Sequence, residues 1–115
     1  MTILNGLKIL DFSSLLPGPL ATMMFADLGA EVIHIESERR VDLMRIMPPY
    51  DEDRESYIHQ HLNRSKKSLQ INLKSDEGTD IIKKLVQDYD IVIEGFRPGV
   101  MKRLGIDYET LRRIN

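Results

Sequence analysis

Four stretches of this chain place cationic or backbone-donating groups directly after short apolar runs. Ser13-Ser14-Leu15-Leu16-Pro17-Gly18-Pro19 follows the first run, and Glu36-Ser37-Glu38-Arg39-Arg40 closes the second. Lys74 follows the third, and Gly95-Phe96-Arg97, with Gly99 beyond, follows the fourth. If the runs are parallel strands, these residues gather beyond the carboxyl ends, where open sheets bind ligands. A helix N-terminus beside guanidinium and ammonium groups suits a phosphate-bearing ligand. Lysines and arginines in loops are equally often plain solvated residues, and the pattern alone leaves both readings open.

A dinucleotide is the first ligand to weigh, because Glu36 stands 18 residues after Gly18, near the place of an acidic ribose partner. The turn has no G-x-G-x-x-G, however. Pro17 and Pro19 flank a single glycine, and the second glycine that lets a pyrophosphate approach the backbone is missing. Unaided NAD binding is disfavoured.

Other chemistry is thinner. His34, His59 and His61 are the only histidines, and His59-x-His61 lacks a third ligand at helical spacing, so they read as solvated histidines and no metal is expected. There is no cysteine, hence no thiolate metal site, disulfide or thiol nucleophile. Arg64-Ser65-Lys66-Lys67 reads as a solvated loop, and Met23, Met24 and Phe25 as core packing. Asp11, an acid on an apolar strand, needs partners; capping of the Ser13 or Ser14 amide suits it better than catalysis. No Ser/His/Asp constellation stands out.

The elements that must position these residues follow from periodicity and punctuation. Leu7–Phe12 reads as a buried strand and Leu20–Leu28 as a helix, with Pro19 at its first position and Gly29 as its stop. Glu31–Glu36 is the next strand, completing a βαβ unit. A second unit runs from the alternating Leu69, Ile71 and Leu73 through a helix capped by Ser75 to Ile91–Ile93; Ile81, Ile82, Leu85 and Val86 form that helix's apolar stripe. A short helix near Val100–Leu104 and another from Tyr108 finish the chain. Residues 37–67 form a long irregular connection that is expected to hold a short helix near Tyr57–Leu62 and to pack on something outside this chain. The fold class is α/β, a Rossmann-like parallel sheet with flanking helices built from two βαβ units.

Size and composition agree with one domain spanning residues 1–115. The chain has 115 residues and a formal charge of −2. Leu, Ile, Val and Phe make up about 30% of it, above the roughly 20% below which disorder is expected. The near-neutral balance argues against a nucleic-acid partner. The longest uncharged stretch, Phe12–Ala26, is broken by Pro-Gly-Pro, so no membrane span is expected, and without a secretory signal the cytoplasm is the default location.

Several blocks, taken in order, resemble the opening of the family III CoA-transferases, which include formyl-CoA and carnitinyl-CoA transferases and the related alpha-methylacyl-CoA racemases. They are Gly6-Leu7-Lys8-Ile9-Leu10-Asp11-Phe12, Pro17-Gly18-Pro19, Ala26-Asp27-Leu28-Gly29-Ala30-Glu31-Val32-Ile33, Asn63-Arg64, Leu73-Lys74-Ser75-Asp76-Glu77-Gly78, Ile93-Glu94-Gly95-Phe96-Arg97-Pro98-Gly99-Val100 and Arg103-Leu104-Gly105. The resemblance implies a CoA-binding domain at the front of a chain three to four times longer. It places CoA, as part of an acyl-CoA substrate, on Leu16, Ile71, Asn72, Leu73, Lys74, Gly95, Phe96, Arg97, Arg103 and Leu104. Lys74, Arg97 and Arg103 would face phosphates; Phe96 and Leu104 would give apolar contact to the adenine. Many members carry an arginine where this chain has Ser37, so Arg39 or Arg40 would have to serve instead.

Gly95 before the aromatic is similar to the racemases, where transferases often have asparagine. Transferases of the family use an aspartate nucleophile, and racemases a His and an Asp that move the α-proton; either set would lie beyond Asn115. The resemblance therefore implies an inactive N-terminal fragment of an enzyme whose full-length form is an interlocked homodimer. The alternatives are a stand-alone nucleotide- or CoA-binding module without catalysis, and an α/β interaction domain.

Overall fold

Short aliphatic runs separated by helix-forming segments fold as parallel strands, and a computed structural model describing residues 2–115 shows four of them. The order is β1 (Lys8–Asp11), α1 (Pro17–Asp27), β2 (Glu31–Glu36), a 3₁₀ turn (Leu43–Ile46), α2 (Tyr57–Asn63) and β3 (Lys67–Gln70). After these come α3 (Asp76–Val86), β4 (Ile91–Ile93), α4 (Val100–Leu104) and α5 (Tyr108–Arg112). All neighbouring strands are parallel, in the order β3-β2-β1-β4. The chain lays down three strands outward, and α3 then returns it to the far side of β1. The two strands of the second βαβ unit are therefore the sheet's two edges, with the first unit between them.

Alternation along the strands sends side chains to two faces. Leu10, Phe12 and Ile35 meet Ile82 and Val86 of α3, together with Ile106 and Leu111, in the larger core. Ile9 and Val32 meet Ala26 and Ala30 around α1 in the smaller one. Of the stripe expected on α3, Ile82 and Val86 are buried and Leu85 is partly so, but Ile81 is 44% exposed. Ser75 caps α3 by accepting from Gly78 N at 3.0 Å. Asp76 and Glu77 in its first turn and Lys83 and Lys84 in its last complement the helix dipole.

The structure moves some of the expected boundaries. Helix α1 begins at Pro17, not Pro19, because both prolines fit its first turn, where N–H groups have no intrahelical partner. Strand β3 is Lys67–Gln70: Ile71 N still donates to Glu36 O at 2.9 Å, but Asn72 then turns the chain by accepting from Lys74 N at 3.0 Å. Met24 is exposed, whereas Met23 is buried. The long connection is ordered by contacts within this chain. Helix α2 packs on α1, and Ser56 both caps α2 and donates to Met47 O at 2.6 Å. Among the described residues, no helix is long and apolar enough to cross a membrane.

Candidate functional site

At the carboxyl edge of the sheet, four loops stand in the order of their strands: 71–75, 37–42, 13–16 and 94–99. Three strand spacings separate the outer two, about 14 Å. Between β1 and β4 the direction of winding reverses, which is where open α/β sheets leave a crevice. The expected site residues are distributed over all four loops and α4, so they do not form one tight cluster.

Leu16 precedes α1 and is 45% exposed. Gly18 lets this loop fold back on itself, since a Cβ there would overlap the buried Ser13 side chain. Arg39 is exposed, and its N–H donates to Ser37 Oγ at 3.3 Å, so Ser37 shapes this turn. In the third loop Ile71 is buried, Leu73 is half-buried, and Asn72 and Lys74 are exposed. In the fourth, Gly95 and Arg97 are exposed. Phe96 N is held by Glu94 Oε2 at 2.8 Å, and the Phe96 ring packs on Phe12 with centroids 6.5 Å apart. Leu104 joins Phe96 and Leu73 against the larger core, while Arg103 is exposed. Phe96 and Leu104, both half-buried, thus hold the loops to the core. Among the described residues, no carboxylate forms an ion pair with Lys74, Arg97 or Arg103.

A hollow of about 380 Å³ lies at the opposite, amino end of the strands, lined by Lys8, Glu31 and Lys67 among others. Lys67 is paired with Glu31 at 3.1 Å, and Lys8 stacks over Tyr89. Its cations are engaged within the fold, so the carboxyl edge is the better anion site.

Beneath the carboxyl edge, on the α1 face, lies a buried polar network that the sequence reading placed largely in solvent. Asp11 accepts from Ser13 N at 2.8 Å, from Ser13 Oγ, and from Thr22 Oγ1 at 2.5 Å, which is the structural role expected of it. Lys66 does not belong to a solvated loop: its side chain is 1% exposed. Its ammonium lies 3.0 Å from Pro19 O, 3.2 Å from Asn63 Oδ1 and 3.6 Å from Asp11 Oδ2. Burial holds the Lys66 amine below the ordinary lysine range, against the pull of Asp11.

Nor are His34 and His59 solvated; both are buried. His34 Nε2 is 3.0 Å from Ser13 O and Nδ1 is 3.2 Å from Glu36 Oε1. Arg45 Nη2 reaches both Glu36 oxygens, at 2.8 and 2.7 Å. His59 Nε2 lies 3.9 Å from Glu36 Oε1; burial, and then Arg45, push His59 below the ordinary histidine range. Asp42 Oδ1 caps the 3₁₀ turn at Met44 N and also accepts from Leu15 N at 3.2 Å. Asp11 was the one signal of this network in the sequence. Its other members meet only when α1 and α2 close over the sheet.

What fold and loops define is a parallel α/β domain whose carboxyl edge carries exposed cations that pair with no carboxylate among the described residues. Comparison with known proteins makes this specific. The family model described as CoA-transferase family III matches residues 4–115. A succinyl-CoA:mesaconate CoA-transferase of Haloarcula marismortui is 41% identical over 119 aligned residues, covering 100% of this chain and 30% of the relative. A human succinyl-CoA:glutarate CoA-transferase is 40% identical, covering 96% of this chain and 25% of the relative. A crystal structure of a CaiB/BaiF family protein from Brucella suis superposes with a TM-score of 0.89 at 36% identity, covering 99% of this chain and 31% of that one. The chain belongs to family III of the CoA-transferases. It spans about a third or less of the length of these relatives.

Proposed function

We propose that residues 1–115 form the CoA-binding front of an enzyme that moves CoA between carboxylic acids, with an acyl-CoA as substrate. The observation that carries this reading is the set of exposed cations, Lys74, Arg97 and Arg103, without carboxylate partners among the described residues, at the carboxyl edge of a parallel sheet. Phosphates are the natural counter-charge, through charge-assisted hydrogen bonds. Leu16, Arg39, the backbone of Ile71-Asn72-Leu73 and the Gly95-Phe96 turn would line the remaining length of the ligand, with Leu104 adding apolar contact. Transfer is preferred over racemisation because the relatives named above are transferases. The reacting groups, an aspartate nucleophile in this reading, would come from outside residues 1–115, and a second copy of the full-length chain would complete the site.

Calorimetric titration of CoA into the wild type, Lys74→Ala, Arg97→Ala and Arg103→Ala tests the site. Hydrogen bonds to charged groups contribute roughly 1.5–3 kcal/mol each, so each alanine should weaken binding about tenfold or more. Unchanged affinity in all three variants would remove the site from this edge.

A further inference from the structure

His34 lies between two acceptors, and this fixes what the ring must carry. A carbonyl oxygen only accepts, so Nε2, 3.0 Å from Ser13 O, bears a proton. In a neutral ring Nδ1 would then present a lone pair to Glu36 Oε1 at 3.2 Å. Rotating the ring by 180° would aim carbons at both oxygens and forfeit both contacts. Glu36 does not supply the missing proton, because Arg45 Nη2 already donates to both of its oxygens.

The surrounding charges agree. The charged groups of the network are Asp11 from β1, Glu36 from β2, Asp42 and Arg45 from around the 3₁₀ turn, and Lys66 from just before β3, with His59 from α2 beside them. His59 is held toward its neutral form. Three carboxylates then face two cations, and a third cation at His34 balances them. Low-dielectric surroundings make that balance matter.

We propose that His34 is a positioning residue: a doubly protonated imidazolium that ties the Ser13–Leu16 loop to Glu36 at the end of β2, holding the loop in its ligand-facing shape. The ligand half of this rests on the CoA reading above; the charge state does not. Leu16 is the candidate contact this loop carries, and the loop is anchored from below at three points. Asp11 holds the Ser13 amide, His34 the Ser13 carbonyl, and Asp42 the Leu15 amide.

Nitrogen-15 spectra of the 115-residue chain at pH 7 read the first half directly, with His34→Lys used for assignment. Both His34 ring nitrogens should resonate as protonated, each coupled to its own proton. One nitrogen in the unprotonated range would overturn the proposal. For the second half, His34→Lys keeps the charge and can donate to both oxygens, His34→Gln donates without charge, and His34→Leu does neither. Amide exchange at Ser13–Leu16 should rise at least tenfold in His34→Leu, less in His34→Gln and under twofold in His34→Lys. CoA affinity should fall in the same order, at least fivefold for leucine. A folded His34→Leu with wild-type exchange and affinity refutes positioning and leaves the CoA site standing. Failure of the wild type to bind CoA refutes the CoA reading and the positioning role with it, while the nitrogen spectra still decide the charge state.

Discussion

Removing Asp11 should destabilise the fold far more than an average substitution does. Its carboxylate is fully buried and accepts from Ser13 N, Ser13 Oγ and Thr22 Oγ1, with the Lys66 ammonium 3.6 Å away. Asp11→Ala leaves Thr22 satisfied, since its hydroxyl also reaches Gly18 O at 3.2 Å. It strands the Ser13 amide and leaves Lys66 as an uncompensated charge with a 1% exposed side chain. Breaking a buried pair by removing one partner costs about 3–5 kcal/mol. A domain of this size holds only about 5–15 kcal/mol in total. In urea, with a slope of about 1–3 kcal/mol per molar, the midpoint should fall by about 2 M. Lys66→Met should cost a similar amount alone, yet the double variant should lose less than the sum of the two, because no lone charge stays buried. Circular dichroism with urea at pH 7 measures all four proteins. A midpoint for Asp11→Ala within about 0.3 M of wild type, or strict additivity in the double variant, would refute this account of the network.

Tyr89→Phe removes the 2.5 Å hydrogen bond to Glu31 Oε1 and should cost about 1 kcal/mol. Glu31 is held below the ordinary glutamate value of 4.5 first by Tyr89 and then by Lys67. Its contribution is therefore present above pH 4.5 and lost as pH falls through the depressed value, and in Tyr89→Phe melting curves that loss should be smaller and should finish at a higher pH. His59 is held below the ordinary histidine value of 6.5 by burial, so the unfolded chain takes up a proton there before the folded one does. Stability should decline as pH drops below 6.5, and His59→Gln should flatten the urea midpoint against pH relative to wild type. Gly78→Ala would drive a Cβ into the Asn72 carbonyl oxygen, backbone that cannot yield cheaply. It should lower the melting temperature by several degrees and weaken CoA binding, because the displaced 72–75 turn carries Lys74.

Much of the layer architecture was readable in the residues. Aliphatic runs at Ile9-Leu10, Val32–Ile35 and Ile91–Ile93, with Ser75 and Gly29 as punctuation, suffice for parallel strands and crossing helices. The third strand was misplaced because Leu69, Ile71 and Leu73 keep a period of two through a turn. Ile71 is buried and Leu73 half-buried against the larger core past the end of the strand, and only the Asn72 side chain marks the change. Strand order was beyond local signals, since nothing near β4 states that it lies beside β1. The buried network was hidden for the same reason: Lys66 meets Pro19 from 47 residues away, and His34 meets Ser13 from 21. A lysine in Arg-Ser-Lys-Lys gives no local sign of burial. As for the site, the strand-end rule identified the loops, while the individual positions within them came from the family resemblance.

The CoA site is tested most directly by a thermal-shift titration of the 115-residue chain with CoA, dephospho-CoA and NAD. A ligand that binds only the folded state adds about 2.7 kcal/mol of stability at a hundredfold excess over Kd. For this domain that is a rise of roughly ten degrees. The site described here predicts a clear shift with CoA, a smaller one without the 3′-phosphate, and none with NAD. Equal shifts with all three ligands, or none with CoA from a cooperatively melting sample, would contradict it.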